Sequence, residues 1–321
     1  MKYDALAILS QFYNRYVSRQ FLLDELNITL DVLEDIISSL SETYSINFSE
    51  DEGYMLTGSL VEKNSLFLRT EYIGKVNYQY CVVDSTNDIA KMFAHLSAPD
   101  GTLIISKEQV KGKGTFGREW ESPVGGLWMS ILLRPDIPLH VAPFITLATG
   151  VAVSRTLNDD FGIDARIKWP NDILIDGKKV CGVLTESQSS SDKLDYLIVG
   201  VGLNTNVELS EFPTDLQNRV TSLSNEINKK FDELMFIDKF LMNFEEIYND
   251  LKKLKLRGIL SEWRSRTMIL GEYVEILSNN SNELICEGYA VGIDDDGFLV
   301  VRTDGGVLEK VSSGTCVIKN P

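Results

Sequence analysis

The apolar pattern at the start of the chain has the period of an α-helix. It predicts three successive helices, over residues 4–15, 19–26 and 30–44. Ser18 and Thr29 stand where an N-cap side chain accepts a backbone hydrogen bond. The apolar stripe of the third helix is made of Leu30, Leu33, Ile36, Ile37 and Leu40. Alternating residues from Ile46 to Leu56, around an acidic turn, then predict a hairpin.

Three short helices followed by a hairpin predict a winged helix-turn-helix domain, whose second motif helix normally enters the DNA major groove. The charge of this segment opposes that use. Residues 1–60 contain three basic and ten acidic side chains, a net charge of −7. The helix that would read DNA carries Asp31, Glu34 and Asp35 and no cation. Because phosphate contact supplies most non-specific DNA affinity, the sequence favours the winged shape and disfavours DNA binding.

Strands and helices mix in the centre of the chain, between Leu66 and Thr267. The main strands are predicted at residues 80–84, 102–109, 126–133, 179–186 and 194–199. Helices are predicted at residues 85–96 and 142–160, and as a pair over 232–263. This mixture predicts a central α+β domain.

Short strands with tight turns replace this pattern from Gly271 onward. They are predicted at residues 272–277, 284–293, 298–302 and 307–311. About 50 residues of this kind are typical of a small SH3-like β-barrel. The predicted domains are therefore 1–64 (winged helix-turn-helix), 65–268 (central domain) and 269–321 (barrel).

Composition limits the class of protein. The 321 residues are 44% hydrophobic and 24% charged, as in globular domains, and no apolar run approaches the roughly 20 residues that span a bilayer. The four cysteines are far apart and there are only two histidines, so neither a disulfide framework nor a metal site formed by protein ligands is predicted. Without a secretory signal, the chain is expected to be cytoplasmic and to have no membrane partner.

A glycine-rich basic loop after Gln109 is the strongest candidate for chemistry. Its glycines leave the backbone free to approach a ligand closely, and Trp120 offers a flat face to a base. Residues 107–118 carry a net charge of +3 inside a protein of net charge −16, which suggests an anionic ligand held at one place. The alternative is a mobile surface loop, since loops of this composition are common.

Three further motifs each lie at or near the end of a predicted strand. Asp84-Ser-Thr-Asn87 places hydroxyl and amide groups where a strand meets a helix, although plain N-capping would explain it equally. Lys168-Trp-Pro-Asn-Asp172 puts a lysine at a strand end, where such a residue is often merely solvated. Gly200-Val-Gly-Leu-Asn204 lacks the last glycine of a dinucleotide-binding fingerprint.

Taken together and in this order, the motifs resemble those of the biotin–protein ligases. The resemblance covers nearly the whole chain and is closest to the long form, which has an N-terminal winged helix and doubles as the biotin-operon repressor. It implies a class II synthetase-like catalytic domain with a mixed sheet, between the winged helix and the barrel. The implied activity joins biotin to ATP as biotinyl-5′-adenylate, then transfers biotin to a lysine of a carboxyl carrier protein. The alternatives are a repressor role for the same chain and a lipoate–protein ligase.

The resemblance also implies roles for individual residues. Lys168 would be the catalytic residue. Biotin would be bound by Ser85, Thr86, Asn87, Gln109, Lys113, Gly114, Thr115 and Lys168. ATP and the adenylate would be bound by Lys113, Arg118, Trp120, Lys168 and Asn204. Mg²⁺ would lie on phosphate oxygens and water, and a homodimer is expected.

The glycine loop departs from the family pattern at two positions. The family loop reads G-R-G-R-x-G-R, whereas this chain has Lys113 for the first arginine and Thr115 for the second. Lys113 keeps the charge but loses the forked guanidinium, and Thr115 keeps neither. Weaker retention of the anionic adenylate is therefore expected.

Overall fold

The computed structural model describes residues 1–42, 44–57, 60–190, 193–279 and 281–319. The helices are α1 (Lys2–Gln11), α2 (Arg19–Leu26), α3 (Leu30–Ser41), α4 (Thr86–His95), α5 (Phe144–Arg155), α6 (Leu223–Ile227), α7 (Glu233–Lys252) and α8 (Leu256–Arg266). The strands are β1 (Ser45–Ser49), β2 (Gly53–Thr57), β3 (Leu60–Lys63), β4 (Asn77–Val83), β5 (Thr102–Gln109), β6 (Leu127–Leu133), β7 (Arg166–Lys168), β8 (Asp172–Ile175), β9 (Lys178–Ser190), β10 (Lys193–Leu203), β11 (Tyr273–Leu277), β12 (Leu284–Ile293), β13 (Leu299–Arg302), β14 (Leu308–Val311) and β15 (Thr315–Lys319).

The first three helices form where the sequence predicts them, with different ends. α1 stops before residue 15 because the chain turns at Asn14, whose φ is +59°. Ser18 caps α2 as predicted, accepting a hydrogen bond from the Phe21 N–H at 3.2 Å. The predicted side-chain cap by Thr29 is wrong, since only its carbonyl takes part and accepts from the Leu33 N–H.

The buried stripe of α3 is shorter than predicted. Leu30 lies in the first turn and is 39% exposed, so the stripe begins with Leu33 one turn later. The helix also ends at Ser41 rather than at residue 44. After it, β1 and β2 form the expected antiparallel hairpin, with Ser45 opposite Thr57.

The N-terminal helices share a hydrophobic core with the central domain. Leu6 and Leu9 of α1 are fully buried in one cluster with Tyr80 of β4 and Phe93 of α4. The Tyr80 hydroxyl also donates to Ser10 Oγ at 3.1 Å. The N-terminal unit is therefore packed on the helix that begins at the Ser-Thr-Asn motif.

A mixed sheet forms the centre of the molecule, as predicted. Among the described residues its strand order is β3-β4-β5-β6-β10-β9-β8-β7, and β4 and β5 are its parallel pair. The strand predicted at 194–199 extends to Leu203, so Gly200 and Gly202 lie within it rather than in a loop. β3, which the predicted domain boundary gave to the first domain, pairs with β4 of this sheet.

Alternate residues of the sheet point into two different cores. Ile131 and Leu133 of β6 belong to the core covered by α5 and α7, while Leu132 belongs to the core shared with α4 and the N-terminal helices. The helix predicted over 142–160 is α5 followed by a single π-helical stretch, Thr156–Asp160. Gly162, with φ at +67°, follows it as predicted.

A β-rich unit ends the chain. Its strands form one antiparallel sheet in the order β14-β13-β12-β11-β15. β15 was not predicted, and it pairs with β11 along its whole length, from Thr315 opposite Leu277 to Lys319 opposite Tyr273. No helix in the described part of the chain is long and apolar enough to cross a membrane.

Candidate active site

The four sequence motifs meet at one cavity of about 180 Å³, although they lie far apart in the chain. Ten of the eleven predicted site residues line it: Ser85, Thr86, Asn87, Gln109, Lys113, Gly114, Thr115, Arg118, Trp120 and Lys168. Asn204 lines an adjoining cavity of about 530 Å³, which shares Arg118, Trp120 and Lys168 with the first. The C-terminal unit contributes Gly314, Thr315 and Cys316 to the first cavity.

The Ser-Thr-Asn motif does more than begin a helix. Ser85 holds the N-cap position of α4, but its side chain makes no capping hydrogen bond. The Thr86 N–H donates to Gln109 Oε1 at 2.8 Å, and the Thr86 hydroxyl lies 3.0 Å from the same oxygen. Gln109 Nε2 donates to Ser122 Oγ at 2.8 Å. The hydroxyls are therefore part of the wall of the cavity, which the simple capping explanation does not account for.

Asn87 is held by two residues that the sequence analysis did not select. Its Nδ2 donates to Glu186 Oε2 at 2.8 Å, and its Oδ1 accepts from Ser130 Oγ at 2.6 Å. Glu186 also pairs with Lys91 at 2.6 Å. Burial opposes ionisation of Glu186, but hydrogen bonds from Lys91 and Asn87 outweigh it and hold the pKa of this carboxyl below its usual value.

The glycine loop is folded into a narrow hairpin. The Gly114 N–H donates to the Arg118 carbonyl at 2.7 Å, and the Trp120 N–H donates to the Gly112 carbonyl at 2.9 Å. A Cβ on Gly112 would lie 2.2 Å from the Trp120 oxygen, so glycine is required there. Phe116 and Gly117 turn the tip, with φ of +60° and +73°.

The lysines of this loop are paired with carboxylates that flank the Ser-Thr-Asn motif. Lys113 Nζ lies 2.5 Å from Asp88 Oδ1, and Lys111 Nζ lies 3.3 Å from Asp84 Oδ2. Since Asp84 precedes α4 and Asp88 lies in its first turn, the two pairs fasten the loop to this helix end. Lys113 is thus engaged with protein in this structure.

Thr115 and Arg118 contact one another directly. Arg118 Nη2 donates to Thr115 Oγ1 at 2.9 Å, and Arg118 Nε donates to the Thr115 carbonyl at 3.2 Å. Thr115, one of the two residues that depart from the family pattern, therefore orients Arg118.

The Lys-Trp-Pro-Asn-Asp motif supplies one cation and the scaffold that holds it. Lys168 ends β7, as predicted, and its ammonium makes no ion pair or hydrogen bond within the described residues. Trp169 is buried in the core, and Asn171 Nδ2 donates to the Val183 carbonyl at 2.7 Å. Asp172 is paired with Lys179 at 2.6 Å. The motif therefore presents Lys168 to the cavity from a rigid sheet.

Cys316 lies close to this lysine but is not suited to nucleophilic chemistry. Burial raises the pKa of its thiol to about 11, an effect that the charge of Lys168 partly opposes. The thiol is therefore neutral at physiological pH, and the thiolate is the reactive form. Cys316 therefore does not give this cavity an activated nucleophile.

Glycines of β9 and β10 form the surface on which Trp120 rests. A Cβ on Gly202 would lie 2.4 Å from Trp120 Nε1, and one on Gly182 would lie 2.9 Å from its ring. Lys179 Nζ lies 4.8 Å from the centroid of the same ring. The glycine pattern of β10 thus makes room for an aromatic side chain, which its similarity to a dinucleotide motif did not predict.

Asn204 leaves a polar atom without a partner. It is 1% exposed, and its Nδ2 donates to the Thr221 carbonyl at 3.0 Å. Its Oδ1 is buried and has no hydrogen-bond partner among the described residues. A buried acceptor of this kind beside a cavity is suited to a ligand that brings a donor.

Comparison with known proteins identifies the family to which this fold belongs. The model of the biotin/lipoate A/B protein ligase family matches residues 78–204, and that of the biotin protein ligase C-terminal domain matches residues 269–319. The chain is 36% identical to the bifunctional ligase/repressor BirA of Bacillus subtilis (strain 168), over 98% of this chain and 97% of that protein. It is 30% identical to the biotin–[acetyl-CoA-carboxylase] ligase of Paracoccus denitrificans, over 70% of this chain and 92% of the relative.

Solved structures give the same result for the part of the chain that they cover. The biotin protein ligase of Aquifex aeolicus in complex with biotin and ATP superposes with a TM-score of 0.64 at 31% identity. The match covers 76% of this chain and 99% of that protein. The chain belongs to the biotin protein ligase family, and the resemblance found in its motifs is confirmed.

Proposed function

We propose that this protein is an ATP-dependent biotin–protein ligase. The observation that carries the proposal is that Lys168, a cation without a protein partner among the described residues, stands where two cavities join. One cavity has the buried hydroxyl and amide groups of the Ser-Thr-Asn motif at its wall, and the other has Trp120 and Asn204. A carboxylate from the first cavity and a phosphate from the second would meet at Lys168.

The first cavity would take the fused ring of biotin. Ser85, Thr86 and Gln109 would hydrogen-bond the ureido group, which has one carbonyl acceptor and two N–H donors. Asn87, Lys113, Gly114 and Thr115 complete the wall, and the loop backbone would close over the ring. The hydrogen bonds that Gln109 Oε1 accepts from Thr86 support this assignment, because they arrange the polar groups before any ligand enters.

The second cavity would take ATP. Trp120 would support the adenine, and the unpaired Asn204 Oδ1 would accept from the adenine amine. Lys113, Arg118 and Lys168 would hold phosphate oxygens as charge-assisted donors. Mg²⁺, bound through phosphate oxygens and water, would supply further charge neutralisation.

Two displacements then follow. A biotin carboxylate oxygen attacks the α-phosphorus, the bond to the β-phosphate oxygen breaks, and pyrophosphate leaves. The amine of an acceptor lysine next attacks the carbonyl carbon of the mixed anhydride. The carbon–oxygen bond to phosphate breaks, AMP leaves, and the amine loses a proton to solvent. Lys168 would stabilise the charge that develops in both steps, and its position on a strand end means that little reorganisation is required.

The acceptor would be a lysine of a biotin carboxyl carrier protein or domain.

We also propose that the N-terminal unit is a winged helix-turn-helix, that the C-terminal sheet is an SH3-like barrel, and that the chain forms a homodimer. The order of α1, α2, α3 and the β1–β2 hairpin supports the winged helix. The proposed domain limits lie near residues 64 and 268. β3 precedes the first limit but pairs with β4 of the central sheet.

Pyrophosphate exchange tests the first displacement directly. Purified protein is incubated with ATP, labelled pyrophosphate and either biotin or lipoate. Exchange that depends on biotin supports the proposal. Exchange with lipoate alone would transfer the assignment to the lipoate ligases, which share the family model.

Repression of transcription is a second candidate. It is favoured by similarity over 98% of this chain to a protein named as a bifunctional ligase/repressor. It is opposed by the surface of α3, where Asp31, Glu34 and Asp35 are not buried. Acids there repel phosphates instead of releasing counterions. A footprinting assay on the biotin-operon promoter, at physiological salt with biotin and ATP, separates the two: a protected, biotin-dependent site establishes the repressor role.

A further inference from the structure

We propose that Glu186 is a positioning residue of the biotin site: its carboxylate fixes which way the Asn87 amide faces, and that orientation is carried through the Ser130 hydroxyl to the Thr86 hydroxyl. The inference rests on the biotin site proposed above. Glu186 does not line the cavity itself, and it is 99 residues from Asn87 in sequence. It would therefore act through Asn87.

The first step is the amide of Asn87. An ionised carboxylate only accepts hydrogen bonds, so the Asn87 NH₂ group must face Glu186, at 2.8 Å. The amide oxygen then faces Ser130, whose hydroxyl must donate to it at 2.6 Å. Lys91, at 2.6 Å from the other carboxylate oxygen, keeps Glu186 charged and in place.

The second step passes from Ser130 to the cavity. The hydroxyl oxygens of Ser130 and Thr86 lie 2.8 Å apart, so the direction of the Ser130 proton affects both Asn87 and Thr86. The backbone N–H of Thr86 donates to Gln109 Oε1, which turns the Gln109 NH₂ group toward Ser122. One N–H of Gln109 is left for a ligand. Glu186 thus sets the Asn87 side of this network, whereas the backbone of Thr86 holds Gln109.

The burial of these groups gives the arrangement its importance. Thr86 and Asn87 are each 3% exposed and Ser130 is fully buried, so water cannot replace a partner that faces the wrong way. A reversed Asn87 amide would put its oxygen against the carboxylate and its NH₂ group against Ser130. The hydroxyl of Ser130 would then have to donate elsewhere, and the contacts of Thr86 would change with it.

The test begins with Glu186→Ala and Glu186→Gln in biotin-dependent pyrophosphate exchange. Glu186→Ala is expected to raise KM for biotin about tenfold or more, while KM for ATP stays near the wild-type value, since a hydrogen bond to a charged group is lost only on the biotin side. Glu186→Gln retains an acceptor and should recover part of this loss. Wild-type protein is measured in the same assay, and this tests the proposed function separately. If the wild type does not exchange with biotin, the ligase proposal is refuted, and the orientation of Asn87 by Glu186 is not.

A reversal of the pair gives the sharper test. Asn87→Asp alone sets two carboxylates against one another and should weaken biotin binding strongly. Combining it with Glu186→Gln restores one donor and one acceptor in the opposite order and keeps the net charge. The double variant is expected to bind biotin at least about tenfold more tightly than Asn87→Asp, as two groups in direct contact are energetically coupled. Additive losses, with no recovery in the double variant, would overturn the proposal.

A matched control separates positioning from general stability. Glu262 is also a half-buried carboxylate with two cationic partners, Arg155 and Arg266, but it lies outside both cavities. Glu262→Gln should lower the melting temperature without changing KM for biotin. If Glu186→Ala likewise lowers only the melting temperature, the role of Glu186 is structural and the proposal is wrong.

Discussion

Gly200 leaves room for Asn87. A Cβ built on Gly200 would lie 2.3 Å from Asn87 Oδ1, the atom that accepts from Ser130. The first glycine of the Gly-Val-Gly motif in β10 is therefore required because the Asn87 side chain of α4 lies against it.

Gly200→Ala is expected to displace the Asn87 amide and to raise KM for biotin by about tenfold or more, because a contact at this distance cannot be relieved without moving a buried polar group. Steady-state pyrophosphate exchange measures the change. Gly258→Ala is the control: Gly258 lies in α8 with open space around it, and alanine is favoured in a helix by about 1 kcal/mol. Equal effects of the two variants would contradict the explanation.

Lys168→Met should abolish most adenylate formation while the fold survives. A charge contact made to the developing transition state typically contributes about 3 kcal/mol, so a loss of two orders of magnitude in kcat is expected. Lys178→Met removes an exposed lysine from the nearby start of β9 and should leave exchange unchanged. Exchange by Lys168→Met within about threefold of wild type would remove Lys168 from the mechanism.

Thr115→Val should weaken the binding of ATP through the loss of support for Arg118. The substitution removes the hydroxyl that accepts from Arg118 Nη2, and a hydrogen bond of this kind contributes about 1 kcal/mol. KM for ATP is expected to rise about fivefold. Thr115→Ser keeps the hydroxyl and should behave like wild type. An unchanged KM for ATP in the valine variant would show that Arg118 needs no support from this residue.

The shared core predicts that the N-terminal helices stabilise the central domain. Leu9 of α1 is fully buried in that core, and Leu→Ala at such sites costs about 2–5 kcal/mol. All four tryptophans lie between residues 120 and 263, so their fluorescence reports unfolding of the central domain alone. Leu9→Ala should lower the melting temperature seen by tryptophan. Phe21→Ala, at a side chain that is 40% exposed, should have a smaller effect. A tryptophan transition that does not move would mean that the units unfold independently.

Acid should remove the contribution of Glu186 to stability. Lys91 and Asn87 hold the folded-state pKa of this carboxyl below its usual value of 4.5, so the contribution is complete above that pH and is lost as pH falls through the lower, folded value. The difference in melting temperature between wild type and Glu186→Gln should therefore be largest near neutral pH and shrink below about pH 4. A difference that is constant with pH would show that ionisation of Glu186 contributes nothing.

Local patterns in the sequence were enough to predict most of the elements and ten of the residues that line the first cavity. The Ser18 cap and the lysine at the end of β7 depend on neighbours only a few residues away. The motifs from Asp84 to Asn204 identify the family by themselves, because each keeps its residue types at fixed short spacings. Two local predictions were wrong. Thr29 holds the N-cap position of α3, but its side chain makes no capping hydrogen bond. Leu30 lies in the first turn of α3, but its side chain is exposed.

The tertiary structure alone decided which of these groups act together. Glu186 lies in the middle of β9 with no signal in its neighbours, and only the packing of α4 on the sheet brings it to Asn87. The pairing of Lys113 with Asp88 and the core shared by Leu9 and Tyr80 are likewise contacts between distant segments. A periodic pattern records which side of an element is buried, but not what it is buried against. Hydrogen bonds and ion pairs between distant residues form only after that packing, so the sequence determined the elements and motifs, and the fold determined their partners.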